Sequence, residues 1–187
     1  IKALNALREQ IIKDVNKLFE VDLKVIALSH HDDNVDSPGK MPARAYKDKP
    51  GLTRKQALHW MLNYQGNLGV CCDGGLFVAD FDGVKMDNLP DTAIVSTSND
   101  HKHYWFMNKD GVPLKNSVSK IMKHVDTRYD GGYVVVPPSV HPTTKKRYTW
   151  ANDFPLDQLP DVPDVFKDLF NTAEADPSII SLDDDIN

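Results

Sequence analysis

Apolar residues recur every three or four positions at the start of the chain: Leu4, Leu7, Ile11, Val15 and Leu18, with Lys, Arg and Glu between them. That period predicts an amphipathic helix. Leu23–Leu28 is a short apolar run and predicts a strand. Residues 29–50 lack periodicity, are punctuated by proline and read as a loop, carrying Lys40, Arg44, Lys47 and Lys49. Thr53 and Gln56 have the spacing of a capping box, in which each side chain satisfies an orphan amide of the first turn. Ala57, Trp60, Met61 and Tyr64 form the apolar stripe of the second helix this box starts, and Gly66 and Gly69 bracket its exit. Apolar runs then follow at strand length. Leu68–Cys72 and Leu76–Phe81 are joined by Asp73-Gly74-Gly75, an Asp-Gly turn that predicts a hairpin. Ala93–Thr97, Lys102–Met107, Lys123–Arg128, Tyr133–Val136 and Arg147–Trp150 predict further strands, and Val162–Phe170 a last helix. The order of elements is an α+β pattern, a mostly antiparallel sheet covered by helices. It divides into a domain-sized unit over residues 1–172 and an acidic tail over 173–187, the latter reading as a solvated linker.

Composition narrows the classes. The chain has 187 residues, 41% apolar and 26% charged, enough to bury a core without metal or disulfide staples. Its net charge of −5 argues against a protein that coats duplex DNA by bulk charge, while leaving room for a local cationic groove. No apolar run approaches the roughly 20 residues of a membrane span. The only cysteines, Cys71 and Cys72, are adjacent, which excludes a disulfide framework and a four-thiolate zinc site and suggests a buried strand end in a cytoplasmic protein.

Four stretches carry candidate chemistry. In Phe77-Val78-Ala79-Asp80-Phe81-Asp82 a carboxylate interrupts an apolar strand, which is costly unless it is paired or metal-bound. Residues two apart on a strand share a face, about 7 Å apart along the chain, so Asp80 and Asp82 project together. Two such carboxylates repel, and a divalent cation between them reverses the sign; oxygen-only ligands favour Mg²⁺ or Mn²⁺ over zinc. His101-Lys102-His103 precedes Tyr104-Trp105-Phe106 and places two imidazoles on one strand face, suited to triphosphate oxygens. Asp126 and Arg128 share a face in the next stretch, where a plain ion pair is the alternative reading. Gly131-Gly132-Tyr133 leads into Pro137-Pro138-Ser139-Val140-His141, which ends a strand and presents Ser139 and His141 on a loop. His31, His59 and His124 read as ordinary surface or core histidines.

Taken in order, these stretches resemble the bifunctional primase-polymerase (prim-pol) domain of the archaeo-eukaryotic primase superfamily, found in replication proteins of plasmids, phages and integrated elements. Asp80 and Asp82 match that family's first acidic pair. Thr97-Ser98-Asn99-Asp100-His101-Lys102-His103 stands at its histidine motif with His103 on the family histidine, although the motif's proline and glycines are missing. Asp126 matches its later acid. Asp130-Gly131-Gly132-Tyr133 with Pro137-Pro138-Ser139 matches its glycine-glycine-tyrosine and proline-proline-serine signature, Tyr148 and Trp150 its Tyr-x-Trp, and Gly39-Lys40-Met41-Pro42 its Gly-Lys-x-Pro element.

The resemblance covers roughly residues 23–150 and implies a two-lobed domain, an α/β lobe joined to a catalytic sheet related to the RNA-recognition-motif fold. It implies a template-directed nucleotidyltransferase, a DNA primase or polymerase, with Asp80, Asp82 and Asp126 holding two Mg²⁺ or Mn²⁺ ions. His103, Arg128, Ser139, His141 and Lys40 would contact the nucleoside triphosphate. Single-stranded DNA template and primer would be its partners, with Lys145, Lys146 and Arg147 as candidate template contacts. The family often carries a helicase domain C-terminal of this one; no Gly-x-x-x-x-Gly-Lys-Ser/Thr phosphate loop occurs in these residues. The alternatives are a metal-dependent nuclease or replication initiator, disfavoured by the lysine between His101 and His103, and a non-catalytic nucleic-acid binding module, which has no need of three acids on strands.

Overall fold

The computed structural model describes residues 1–98 and 100–175; Asn99 of the histidine motif and residues 176–187 of the expected acidic tail lie outside the described residues. The architecture is α+β. Among the described residues are α1 (Lys2–Leu18), α2 (Arg54–Asn63), α3 (Asp164–Ala175) and nine strands, β1 (Val25–Leu28), β2 (Asn67–Cys71), β3 (Leu76–Asp82), β4 (Ile94–Ser98), β5 (His101–Met107), β6 (Ser117–Met122), β7 (Val125–Arg128), β8 (Tyr133–Val135) and β9 (Thr149–Trp150). Among the described residues, no helix is long and apolar enough to cross a membrane.

The capping box starts α2 as the sequence predicts: Thr53 Oγ1 accepts from the Gln56 amide at 3.2 Å, and Gln56 Oε1 accepts from the Thr53 amide at 2.9 Å. Trp60 on this helix donates its indole N–H to the carbonyls of Leu28 and Asn67 at 3.0 and 2.9 Å, stapling α2 to β1 and β2. A Cβ at Gly66 would stand 2.2 Å from that indole, so only glycine lets the chain pass under it. The stripe on α1 is buried only in its second half, at Ile11, Val15 and Leu18, whereas Leu4 and Leu7 are 69% and 39% exposed.

The strands form two antiparallel sheets, β1-β2-β8 and β6-β7-β3-β5-β4-β9. The Asp73-Gly74-Gly75 turn does not make the expected hairpin. β2 and β3 lie in different sheets, and both edges of β3 are already taken by β5 and β7. Two successive glycines at φ +68° and +95° carry the chain from one sheet to the other. β6 is the strand that the sequence reading missed. It is an edge strand with a mixed polar and apolar face, and its pairing with β7 is irregular between Ser117 and Met122. The 29–50 loop is laid along β1 by Ser29 N–H to Met41 O and Ala43 N–H to Ala27 O, at 2.8 and 2.9 Å.

Two cores flank the larger sheet. Phe77, Ala79, Phe81, Phe106 and Val125 pack on one face against Phe166 and Phe170 of α3, with the Phe77 and Phe166 ring centroids 5.5 Å apart. Val78, Val95 and Trp105 point the other way, into the core shared with α1, α2 and the small sheet. β3 is therefore buried on both faces along most of its length, which is why its sequence is apolar. That burial ends at Asp80 and Asp82.

Candidate active site

The carboxylate pair sits at the open end of β3, in the middle of the larger sheet. Residues directly opposite on antiparallel strands turn their side chains to the same face. Asp80 is opposite His103 of β5 on one side and opposite Asp126 of β7 on the other. Asp82 is opposite His101, and Val78 is opposite Arg128. Three consecutive rungs thus bring Asp80, Asp82, Asp126, His101, His103 and Arg128 to one face, although they come from three separate stretches of chain.

Each carboxylate has its own surroundings. His103 Nε2 lies 3.5 Å from Asp80 Oδ2, and His101 Nε2 lies 2.8 Å from Asp82 Oδ1. Asp126 Oδ1 accepts from the Ser119 amide at 3.0 Å, and its Oδ2 is 4.0 Å from Arg128 Nη2. Arg128 is otherwise turned to main chain, donating to the carbonyls of Ser117 and Thr127 at 3.3 and 3.0 Å. Burial pushes the Asp80 carboxyl up, but the hydrogen bond and charge of His103, with Arg128 and His101, overcome it and hold Asp80 below the usual carboxylate range. Burial also pushes Asp126 up. Arg128 and the Ser119 amide oppose this, the charges of Asp80 and Asp82 add to it, and Asp126 ends above its usual range. The two neighbouring carboxyls are thus displaced in opposite directions, Asp80 downward by the imidazoles and Arg128 beside it, and Asp126 upward by burial and the other two carboxylates.

Two polar atoms here are buried without partners: Asp80 Oδ1 and His103 Nδ1. An unpaired buried carboxylate oxygen, on the strand face it shares with two other carboxylates, is what a divalent cation satisfies. The donors are all oxygens, so the residues present fit Mg²⁺ or Mn²⁺.

The rim is formed by the two loops the sequence reading singled out. His141 accepts at Nδ1 from the amides of Thr143 and Thr144, at 3.1 and 3.2 Å, which leaves its neutral ring as an Nε2–H donor. Burial first, then the charges of Lys40 and His101, hold His141 below the ordinary histidine range, so these three groups share one neighbourhood. Tyr148 links them to the carboxylates: its ring centroid is 6.4 Å from His103 and 5.8 Å from His141, and after burial it is Asp80 that pushes its phenol up. Ser139 is placed differently. It is fully buried, and its hydroxyl donates to Leu68 O at 3.1 Å and accepts from Leu68 N–H at 2.9 Å, so it ties the loop to β2. The cations expected to meet template are also engaged: Lys145 pairs with Asp32, and Arg147 donates to Pro138 O at 2.8 Å.

Asn67 is the residue that sequence reasoning missed. It is 1% exposed and opens β2. Its Nδ2 donates to Gly39 O at 3.0 Å and Val140 O at 2.9 Å, while its Oδ1 accepts from Val140 N–H at 2.9 Å. One buried amide therefore clamps the loop carrying Lys40 to the loop carrying His141. Gly39 must be glycine for this: its φ is +74° and a Cβ would stand 2.8 Å from Asn67 Nδ2. The only signal available was a polar residue at the head of an apolar run.

The model of the family described as bifunctional DNA primase/polymerase, N-terminal, matches residues 17–164. That span contains all nine strands and every residue of the site above. No curated protein matches the chain.

Proposed function

The chain belongs to the bifunctional DNA primase/polymerase family, and on that premise we propose that it is a template-directed nucleotidyltransferase acting by two-metal-ion catalysis in the replication of a mobile element. The observation that carries this reading is the single face shared by Asp80, Asp82 and Asp126, with the Asp80 oxygen left unpaired beside His103. The catalytic unit would be residues 1–172, with 173–187 as a linker to a C-terminal helicase domain.

In this reading Asp80, Asp82 and Asp126 hold two divalent ions. The chemistry supplied by such a pair is activation of the attacking 3′ hydroxyl and neutralisation of the triphosphate and departing pyrophosphate. Phosphoryl transfer needs mainly positioning and charge stabilisation, so the remaining residues bind and orient. His103 hydrogen-bonds the triphosphate of the incoming nucleotide. His141 offers its Nε2–H and Lys40 its charge to the same anion, and Arg128 balances Asp126. Ser139 and Asn67 act through the loops they fix. Single-stranded template and primer lie across the open face.

The test is a labelled primer annealed to a longer single-stranded template, incubated with nucleoside triphosphates and Mg²⁺ or Mn²⁺. Lengthening is expected. Shortening of the DNA in Mn²⁺ without nucleotides would establish the nuclease reading instead, and metal-independent binding without either product the binding-module reading. In the same assay His103→Ala is expected to raise the nucleotide KM about 10–100-fold, the equivalent of one lost charge-assisted hydrogen bond of about 1.5–3 kcal/mol. An unchanged KM would move that role to His101.

A further inference from the structure

We propose that His30, His31 and Asp32 form a second metal site, for a zinc-class ion, at the turn that follows β1. It differs from the carboxylate centre in donor chemistry. One ligand atom from each of the three residues lies within 4.8 Å of the other two. Ligands about 2.0–2.2 Å from a tetrahedral ion stand a little over 3 Å apart, so small side-chain rotations close the set. Asp32 and His31 are already there: His31 Nε2 is 3.3 Å from Asp32 Oδ2.

Three further features favour a ligand. First, the His31 ring is only 18% exposed and turns Nε2, not its unpartnered Nδ1, to Asp32 Oδ2, so Nε2 is the atom an ion beside Asp32 takes. Second, the turn is preorganised. His30 N–H donates to Asp33 Oδ2 at 2.9 Å, Asp33 N–H to His30 O at 3.1 Å, and Gly39 N–H to His30 O at 3.0 Å. The two imidazoles are stacked with centroids 4.0 Å apart, so one ring turns out of the stack for both in-plane lone pairs to meet at one ion. Third, Lys145 engages Asp32 Oδ1, which orients the carboxylate and leaves Oδ2 turned to His31. The opposing cost is one hydrogen bond: His30 Nδ1 accepts from the Asp32 amide at 3.0 Å, worth about 1 kcal/mol, and ligation through that nitrogen gives it up.

Two imidazoles and one carboxylate are borderline donors and select zinc over magnesium, whereas the three carboxylates of the sheet do the reverse. Three protein ligands leave a fourth position for water or a substrate oxygen. The turn is bonded to Gly39, next to Lys40, and through Lys145 to the hairpin that follows His141. A metal there would pin both rim loops at once.

The experiment is zinc binding to the metal-stripped chain, followed by calorimetry and by the visible spectrum of the cobalt-loaded protein. One equivalent of zinc is expected to bind in the presence of excess Mg²⁺, with tetrahedral-type cobalt absorption. His30→Ala and His31→Asn should each weaken zinc binding at least about tenfold, while Asp80→Asn with Asp82→Asn leaves it within twofold. Melting curves of each variant show that it is folded. Absence of zinc uptake, uptake indifferent to both histidine substitutions, or uptake lost in the Asp80/Asp82 variant would each overturn the proposal. None of these readouts depends on polymerase activity.

Discussion

Replacing Asp80 and Asp82 together with asparagine is expected to lower primer extension at least about 10³-fold, a loss of about 4 kcal/mol of transition-state stabilisation, while the domain remains folded. Asparagine keeps the volume and the strand position, so the sheet pairing of β3 with β5 and β7 has no reason to change. What is removed is the negative charge that holds the ions. His101 and His103 lose their carboxylate partners in the same variant, which makes a melting curve the necessary companion measurement. A folded double variant that still extends primers would take these two carboxylates out of the chemistry.

Asp126→Asn is expected to abolish extension to a similar degree and at the same time to raise the melting temperature of the metal-free protein. The sign follows from the direction of the shift. Burial and the charges of Asp80 and Asp82 leave the folded-state pKa of Asp126 above its unfolded value. Stability from such a group is present below the unfolded pKa and is lost as pH rises through the folded one, so at neutral pH the ionised Asp126 opposes folding. Asparagine cannot ionise and removes that opposition. The wild-type protein should recover the difference when Mn²⁺ is added, whereas the variant should gain less. Asp80 behaves in the opposite sense: its folded pKa is depressed, so its contribution is present at neutral pH and lost as pH falls through that value. An Asp126→Asn variant that melts lower than wild type without metal would show that this carboxylate is structural. A trade of stability for function at one residue is what a charged site built to hold a cation predicts.

Much of this was legible in the sequence because it depends on near neighbours. Strand alternation put Asp80 and Asp82 on one face, the Thr53–Gln56 spacing gave the start of α2, and apolar runs gave most strands. What stayed hidden depends on distant partners. No local pattern says that β7 lies beside β3 and places Asp126 opposite Asp80; only the family resemblance pointed there. The Asp-Gly turn after Cys72 looked like a hairpin because turn chemistry is local, while the choice of sheet was made by β5 and β7 occupying both edges of β3. Ser139 carried the signature of a ligand contact, yet its hydroxyl is used up by Leu68, and Asn67, which no motif marked, joins the two rim loops. His31 read as an ordinary histidine, since nothing in the chain order reveals that its Nδ1 would be buried without a partner.

Anomalous diffraction from a crystal soaked with Mn²⁺ and a nucleoside triphosphate would show whether Asp80, Asp82 and Asp126 jointly hold divalent ions beside the triphosphate of a bound nucleotide. Manganese peaks bridged by those three carboxylates are expected, with the triphosphate within hydrogen-bonding distance of His103. Manganese bound only away from the three carboxylates, or a nucleotide bound elsewhere on the sheet, would contradict that arrangement.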